Sequence, residues 1–355
     1  MNRRKYVFFA LAAMALSSLL VLLVALSADI YLHSRAERSA GLNRWGYRGP
    51  VVGSKRPGEI RVVMLGGSTA FGYGVTWDEA IPAQLERLLN ASGLRATVVN
   101  LGFNNEGAYS FLPTLQDFAY LDYDIVCLYE GYNDLIGDQL PNRSLFRHES
   151  AVFRLTGYFP ILPLALGEKA LSLRYGGDLN AAYAATRGES AGPTVFRPNI
   201  AQRTSAAALE TASAVGESLS RQLGRWSEPG AERSAGGGTS PTGCEAPWVH
   251  YCESVHAAAQ YAIGAGKPVV LSSQPLFLAE MQRHRDQQAA VAGMLARKFP
   301  GNPNVRYVDL IDAINLSDTA FSFDTMHLNP EGNAVIAQRL VDTVRALAGL
   351  REGGR

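Results

Sequence analysis

The sequence has few cysteines, no excess of either charge and none of the signatures of nucleic-acid binding. It contains three cysteines among 355 residues, and its formal net charge is only +1. So small a charge provides no basic field to attract nucleic acid, and no zinc finger, basic helix or aromatic RNA-binding signature is visible. Nucleic acid is therefore not an expected partner. Hydrophobic residues make up 47% of the chain, which excludes disorder throughout and suffices for one large core.

The long hydrophobic run lies at the N-terminus. Residues 6–28 carry no charged side chain and directly follow three basic residues. At about 1.5 Å per residue, a helix of this length spans the hydrocarbon core of a bilayer. The basic flank predicts a cytoplasmic tip at residues 1–5, a single-pass membrane anchor and an extracytoplasmic main domain. A cleaved signal peptide is the alternative, because Ala25-Leu26-Ser27 is a tolerable cleavage site, although the run is longer than a usual signal core.

Export would favour a disulfide between two of the cysteines. Cys244 and Cys252 bracket a short segment, and in an oxidising compartment they would close a small loop. A metal site formed by Cys252 with His250 and His256 is the alternative, but the spacing matches no known ligand set and lacks a fourth ligand. Cys127 lies in an apolar run and is expected in the core. We therefore expect neither a metal nor an organic cofactor.

Beyond the predicted anchor, short β-branched runs alternate with helical stretches. The runs that predict strands are 60–65, 96–102, 124–131, 267–274 and 304–310. The stretches that predict helices are 77–91, 110–121, 250–265, 276–299 and 330–347. This alternation predicts an α/β protein with a five-stranded parallel sheet covered on both faces, in a flavodoxin-like three-layer α/β/α arrangement.

The remaining segments define the predicted domain organisation. Residues 29–58 are polar and rich in Arg and Gly, which favours a linker, with a short hairpin or turn packed on the main domain as the alternative. The main domain is predicted at 59–350. The gap at about 140–247 exceeds an ordinary crossover and must hold an insertion. Within it we expect a helix at 201–223 and a mobile Gly/Ser-rich loop at 227–243.

Two glycines and Ser68 follow the first predicted strand, in "VVMLGGSTAFGYG". The familiar glycine motifs do not fit this stretch. Tyr73 stands where a P-loop would have its lysine, no G-x-G-x-x-G follows the strand, and the second glycine of a G-x-S-x-G elbow is missing. The remaining interpretation is a serine nucleophile in a different scaffold.

A serine hydroxyl needs a base and an orienting carboxylate, and "FSFDTMHLNPEG" supplies both types of side chain. Asp324 and His327 lie three residues apart, before a helix with Asn329 as its predicted N-cap and Pro330 as its first residue. Ligands bind at the carboxyl ends of parallel strands, where Ser68 is also predicted. The Asp–His spacing is weak evidence by itself, so the order and placement of the motifs must add to it.

Two further stretches offer donors for a developing oxyanion. In "LYEGYNDL" the side-chain amide of Asn133 could donate to it, although Gly131 and its neighbours also suit an ordinary turn. In "NLGFNNEGAYS" a glycine N–H could point at the same oxygen. We choose Gly107 over Gly102, because Gly102 follows its strand so closely that it is expected only to serve the turn.

These four stretches, in this order, resemble the SGNH hydrolases, the superfamily that includes the GDSL-type esterases and lipases. The resemblance covers about residues 59–347, with the insertion poorly matched. It implies a nucleophile at Ser68 and a triad completed by Asp324 and His327. It also implies an oxyanion hole formed by the Ser68 amide, Gly107 and Asn133.

The sequence departs from the family pattern at two points. Gly67 stands where the G-D-S block has its acidic residue, which resembles a membrane-anchored variant of the family. The second block is longer between its asparagine and its glycine than in the shorter esterases, which bears on the assignment of Gly107. The residues proposed for the triad are unaffected by either departure.

The sequence thus predicts a membrane-anchored, extracytoplasmic serine esterase that hydrolyses O-acyl, above all O-acetyl, esters. A carbohydrate ester is the expected substrate, and the membrane is the expected partner of the N-terminal helix. The alternatives are an O-acyltransferase that modifies a surface glycan and a catalytically inactive binding protein with this fold. The aromatic side chains that flank the motifs either face a sugar ring or pack in the core; these are Phe71, Tyr73, Tyr109, Tyr129 and Tyr132.

Overall fold

The structure is a computed structural model that describes residues 3–39, 41–135, 142, 147, 150–174, 242–276 and 281–352. The helix predicted at 201–223 and nearly all of the predicted loop at 227–243 lie outside these residues. The chain divides into two compact units. One unit comprises Met1–Ala36 and Glu149–Ala231, and the other comprises Glu37–His148 and Glu232–Arg355.

The larger unit is built on one parallel sheet. Its strands are β1 (Ile60–Gly66), β2 (Ala96–Asn100), β3 (Ile125–Tyr129), β4 (Val269–Ser272) and β5 (Val305–Val308). They lie in the order β2-β1-β3-β4-β5, and every neighbouring pair is parallel. This is the flavodoxin-like strand order, so the predicted fold class is confirmed.

The helices of the described residues follow in chain order: α1 (Arg3–Ser39), α2 (Ser68–Phe71), α3 (Ile81–Ala91), α4 (Phe111–Asp117), α5 (Ala151–Thr156), α6 (Leu162–Arg174), α7 (Val249–Gly264), α8 (Met281–Lys298) and α9 (Pro330–Glu352).

Helices cover the sheet on both faces because its central strands are apolar on both faces. On one face α3 and α9 pack together, and side chains such as Leu85 and Leu340 join Met64 of the sheet in one buried cluster. On the other face α7 packs against β4 and contacts both α4 and α8. Continuous Val, Ile and Leu runs are expected of strands buried on both sides, and β1 and β3 are buried along their whole length.

The strand register brings the sequence motifs to one edge. Gly66 at the end of β1 pairs with Tyr129 at the end of β3, and Asn100 at the end of β2 pairs with Met64, two residues before Gly66. The first, second and third sequence blocks therefore leave the sheet side by side at its carboxyl edge. This edge is where an open α/β sheet binds ligands.

In the smaller unit, α1 is tied to the start of α6 by a buried carboxylate. Asp29 accepts hydrogen bonds from the N–H groups of Ile161 at 2.9 Å and Leu162 at 2.6 Å. Tyr158 donates its hydroxyl to the same carboxylate. Asp29 thus satisfies backbone donors that the first turn of α6 cannot pair internally.

α1 is also the helix, among the described residues, that is long and apolar enough to cross a membrane. A signal sequence would satisfy the same criteria, so both interpretations of the N-terminus remain open. The helix continues to Ser39, past the end of the predicted anchor at residue 28 and into the segment predicted as a linker.

Residues 41–58 belong to the larger unit and include a turn that packs on it, rather than forming a plain tether. Tyr47 is buried, and Arg48 forms bridges with Leu42 and with Asn100 at the end of β2. The Arg and Gly content of the segment is typical of linkers, but here the arginine is buried. Composition alone could not show which polar side chain would find partners inside the domain.

The buried Arg48 caps the C-terminal end of α2. Its guanidinium donates hydrogen bonds to the carbonyl oxygens of Phe71, Gly72 and Val75. It also lies over the Phe71 ring, 4.4 Å from the centroid. Burial lowers the pKa of Arg48 to about 10, while the nearby carboxylates of Asp78 and Glu79 act in the opposite direction. The guanidinium therefore remains charged near neutral pH.

We expect Arg48→Met to lower the unfolding free energy by about 2–4 kcal/mol, because three carbonyl oxygens lose a charged donor. Thermal unfolding of the full chain in detergent measures the change. The matched control is Arg345→Met, which removes only an exposed ion pair with Asp342 and should cost less than about 1 kcal/mol. Equal losses in the two variants would contradict the capping role of Arg48.

Candidate active site

Ser68 lies at the turn between β1 and α2, where glycines allow three segments to approach closely. A Cβ on Gly66 would lie 2.1 Å from the carbonyl oxygen of Tyr129. At the other end of the short helix, Gly72 adopts a left-handed conformation with φ of 85°. These contacts hold Ser68 at the sheet edge with its side chain partly accessible.

The structure brings Ser68, His327 and Asp324 together, as the sequence predicted for a triad. His327 Nε2 lies 2.9 Å from Ser68 Oγ, and His327 Nδ1 lies 2.6 Å from Asp324 Oδ2. An ionised carboxylate can only accept, so Nδ1 carries the imidazole proton and Nε2 is left to accept from the serine hydroxyl. This is the arrangement needed for a histidine to act as the base for a serine.

The loop that carries Asp324 and His327 is stabilised by its own hydrogen bonds. Asp324 Oδ1 accepts from the backbone N–H groups of Met326 at 3.0 Å and His327 at 2.6 Å. Asn329 Oδ1 accepts from the N–H of Gly332 at 2.9 Å, and α9 begins at Pro330. The predicted N-cap and first helical residue are therefore confirmed. The cap fixes where the loop enters the helix.

Hydrogen bonding keeps the Asp324 carboxylate ionised although burial opposes this. Burial alone would raise its pKa, but the backbone N–H and ring of His327 and the N–H of Met326 together lower the pKa below its ordinary value. The side chain of Asp324 is 38% exposed and that of His327 is 13% exposed. The base is thus more shielded from water than its orienting partner.

Of the predicted oxyanion donors, the Asn133 amide lies at Gly67. Asn133 Nδ2 occupies a position only 2.1 Å from where a Cβ on Gly67 would lie. This amide donates one hydrogen bond to the Glu106 carbonyl at 2.9 Å, and its second hydrogen remains for a ligand. The Glu106 carbonyl oxygen lies 3.0 Å from the Gly67 Cβ position, and the Gly107 N–H lies on the opposite side of the same trans peptide unit.

Gly102 has a different place. Its N–H donates to the side chain of Asn100 at 3.0 Å, and a Cβ on Gly102 would collide with the backbone of Phe71 at 2.7 Å. Gly102 therefore serves the turn and the packing of α2, whereas a Cβ on Gly107 would lie 2.8 Å from the carboxylate oxygens of Asp134.

Sequence reasoning missed two carboxyl groups next to these donors: Glu130, which is buried, and Asp134, which is half-buried. Glu130 is 1% exposed and accepts from the backbone N–H groups of Gly67 at 2.6 Å, Gly131 at 2.9 Å and Asn133 at 3.1 Å. Asp134 accepts from the N–H of Ala108 at 2.9 Å. The sequence signal for these two residues is the pair of acids on either side of G-Y-N in the third block. The same pattern also suits a plain turn.

Burial perturbs both carboxyl groups. Burial and the charge of Asp134 raise the pKa of Glu130 to about 8, against the effect of its three backbone donors. Burial likewise raises the pKa of Asp134 to about 7, against the effect of the Ala108 N–H. The pair therefore holds a proton near neutral pH.

The aromatic residues singled out in the sequence divide into two groups. Phe71 and Tyr129 are buried in the core, whereas Tyr73 and Tyr109 are exposed. The ring of Tyr73 lies 4.7 Å from that of His327. Sequence reasoning missed Phe323, which stacks on His327 at 6.1 Å although it directly precedes Asp324 in the chain.

The cysteines do not form a metal site. Cys244 and Cys252 are joined in a disulfide, so Cys252 cannot act as a ligand with His250 and His256. No cluster of three potential metal ligands occurs among the residues that the structure describes. Cys127 is buried in β3, and burial raises the pKa of its thiol to about 12.

The raised pKa of Glu130 predicts a pH dependence of stability. A carboxyl with a higher pKa in the folded chain binds a proton on folding, so the unfolding free energy falls as pH rises from about 4.5 to about 8. We expect Glu130→Gln to reduce this slope in urea denaturation between those values.

The matched control is Glu59→Gln. Glu59 is also buried, but its bonds to Arg56 and Arg61 outweigh the effect of burial and lower its pKa. The pKa shift of Glu59 therefore has the opposite sign to that of Glu130. Glu59→Gln should leave the fall in unfolding free energy that Glu130 causes unchanged. Slopes that are identical in the wild type and Glu130→Gln would contradict the raised pKa.

Comparisons with known proteins find similarity only at the level of solved structures. No protein-family model matches the chain, and no curated protein matches its sequence. A lipolytic protein of the G-D-S-L family from Desulfitobacterium hafniense aligns with 80% of this chain and 98% of its own, at 13% identity and a TM-score of 0.39.

Two other structures are similar to a comparable degree. A lipase/acylhydrolase from Enterococcus faecalis covers 82% of this chain and 96% of its own, at 14% identity and a TM-score of 0.41. A family 3 carbohydrate esterase from Clostridium thermocellum covers 82% of this chain and 99% of its own, at 15% identity and a TM-score of 0.38. Similarity at this level carries no information about activity, for which the geometry of the site must be used.

Proposed function

We propose that the protein is a serine esterase of the SGNH type that acts through an acyl-serine intermediate. The observation that carries the proposal is the chain of contacts from Asp324 through His327 to Ser68, with distances of 2.6 and 2.9 Å. A serine is a weak nucleophile unless a base removes its proton, and this arrangement supplies that base. A structural role alone gives no reason for a partly exposed serine to face an imidazole held by a carboxylate.

The first half of the reaction forms the acyl-enzyme. His327 Nε2 takes the hydroxyl proton as Ser68 Oγ attacks the ester carbonyl, and Asp324 stabilises the resulting imidazolium. The carbonyl oxygen becomes an oxyanion beside the Ser68 N–H, the Gly107 N–H and the Asn133 amide. Collapse of this intermediate breaks the ester bond, and His327 returns its proton to the departing alcohol.

The second half regenerates the serine. A water molecule attacks the acyl-serine while His327 again accepts a proton, and the products are a carboxylic acid and the free Ser68 hydroxyl. The chain's own side chains perform each proton transfer. Every oxyanion-hole donor of this kind typically contributes about 3 kcal/mol to lowering the barrier.

The same residues would serve an acyltransferase if a sugar hydroxyl replaced water in the second half. Comparing turnover with and without a sugar acceptor distinguishes the two activities. An inactive binding protein with this fold is the other alternative. The contact between Ser68 and His327 favours an enzyme, because a ligand-binding role requires no such pair.

The exposed aromatic side chains support an O-acylated carbohydrate as the substrate. Tyr73 is 50% exposed and Phe323 is 47% exposed, and both contact the ring of His327. A flat, exposed aromatic surface beside the base suits the apolar face of a sugar ring, and a small O-acetyl group would then reach Ser68.

The N-terminal helix supports a membrane-anchored location. We place the N-terminus in the cytoplasm and the catalytic unit outside, because basic residues precede the apolar part of α1. A disulfide between Cys244 and Cys252 fits an oxidising compartment.

We expect a fluorophosphonate probe to label the full chain and Ser68→Ala to abolish that labelling, because the probe requires an activated serine. Gel fluorescence and mass spectrometry of the labelled peptide measure both. The control is Ser92→Ala, which removes an exposed serine between α3 and β2, at the opposite edge of the sheet. Absence of labelling in the wild type would favour the binding protein over the enzyme.

We expect Tyr73→Ala to raise KM for acetate release from acetylated xylan or mannan about fivefold, because the sugar loses a stacking surface worth about 1 kcal/mol. Hydrolysis of p-nitrophenyl acetate, which has no sugar ring, should change far less. Tyr120→Ala is the control, since it removes another exposed tyrosine ahead of β3. Equal losses on both substrates, or no acetate release from any polymer, would count against a carbohydrate ester.

A further inference from the structure

We propose that Glu130 is a positioning residue, which fixes the turns that carry the oxyanion-hole donors relative to one another. This inference rests on the proposed function, since it assigns a role within the same site. The hole requires donors from three separate segments: the Ser68 turn after β1, the Gly107 loop after β2 and the Asn133 turn after β3. Some interaction must fix these segments relative to one another, because a donor misplaced by about 1 Å stabilises the oxyanion poorly.

The hydrogen bonds of Glu130 join two of these segments. Its Oε2 accepts from the Gly67 N–H at 2.6 Å, in the peptide directly before Ser68. Its Oε1 accepts from the N–H groups of Gly131 at 2.9 Å and Asn133 at 3.1 Å. One carboxylate thus connects the backbone of the nucleophile turn to the backbone of the residue whose side chain is the amide donor.

Asp134 connects the remaining segment, the Gly107 loop, to the Asn133 turn. It accepts from the Ala108 N–H at 2.9 Å, and a Cβ on Gly107 would lie 2.8 Å from each of its carboxylate oxygens. Glu130 and Asp134 therefore lie on either side of Asn133 in the sequence. Glu130 binds the Ser68 turn, and Asp134 binds the Gly107 loop. Arg147 supports this loop as well, because it pairs with Glu106 at 3.3 Å.

The space around Gly67 explains why the carboxylate comes from β3. A Cβ on Gly67 would lie 2.7 Å from Glu130 Oε2 and 2.1 Å from Asn133 Nδ2. A side chain at position 67, such as the acidic one of a G-D-S block, would occupy the volume that Glu130 fills. In this chain Gly67 leaves that volume free, and the carboxyl group of Glu130, directly after β3, fills it.

A carboxyl group is the appropriate side chain at this position. Three backbone N–H groups point at its two oxygens, whereas a glutamine has one oxygen and an amide nitrogen that cannot accept. Glu130 is 1% exposed, so water is not available to replace the lost acceptor. Leaving such buried donors unpaired is costly, and the turn would rearrange to pair them elsewhere.

The experiment compares Glu130→Gln and Glu130→Leu with the wild type in full-length protein, using p-nitrophenyl acetate as the probe. We expect kcat to fall about tenfold in Glu130→Gln and at least about a hundredfold in Glu130→Leu, with KM changing less than about threefold. Hydrogen exchange followed by mass spectrometry should show faster exchange in the segments of Gly67 and Asn133 in both variants.

The matched control is Glu59→Gln, at the opposite edge of the sheet. Glu59 is a buried acid that accepts from the Arg56 N–H and pairs with Arg61, so its loss should reduce stability while kcat stays near the wild-type value. A similar fall in kcat in Glu59→Gln would overturn the proposal, because lost stability would then explain both effects. Unchanged kcat and exchange in Glu130→Leu would also overturn it.

Failure of the proposed function gives a different result. If the wild-type protein neither turns over the probe nor reacts with a fluorophosphonate, the esterase function is contradicted. Hydrogen exchange alone then tests the positioning role of Glu130. Faster exchange at Gly67 and Asn133 in the Glu130 variants, but not in Glu59→Gln, supports the positioning role. Equal exchange in all variants overturns it.

Discussion

The site depends on the absence of a side chain at Gly67. Three turns meet around this residue, and any Cβ there would collide with the Asn133 amide, the Glu130 carboxylate and the Glu106 carbonyl. The parallel register of β1 and β3 makes the meeting unavoidable, since Gly66 and Tyr129 are paired at the ends of their strands. In the proposed oxyanion hole, this close packing of backbones would let one oxygen of a substrate reach donors from separate loops.

The base is held in a different way. Asp324 and His327 belong to a short loop whose geometry is set by local hydrogen bonds and by the Asn329 cap of α9. The rest of the protein therefore needs only to place this loop at the carboxyl edge of the sheet. The packing of α9 on the core of the sheet does so. A long-range site is thus assembled from one locally ordered loop and three tightly packed turns.

The fold and the principal residues of the site could be predicted because they leave local patterns. Buried parallel strands give continuous apolar runs. The Asn-Pro pair before a helical stretch predicted the first residue of α9 correctly. Ser68, Asn133 and His327 follow predicted strands or precede predicted helices, so their common edge followed from the fold.

What could not be predicted depends on contacts between distant segments. Arg48 lies in a stretch with the composition of a linker, and nothing local shows that its guanidinium will find three carbonyls after β1. Glu130 and Asp134 suit an exposed turn equally well until the burial around them is known. Phe323 is an ordinary loop residue in the sequence and becomes notable only because its ring stacks on His327.

The cap formed by Arg48 has a consequence for where the polypeptide can be cut. A cut ahead of Leu42 would leave the arginine and its strand bridges in place, and the turn around Ser68 would keep its cap. A cut only a few residues later, beyond Arg48, would remove the donor from the carbonyls that end α2. The boundary between a tolerated cut and a damaging one therefore falls within a few peptide bonds after α1.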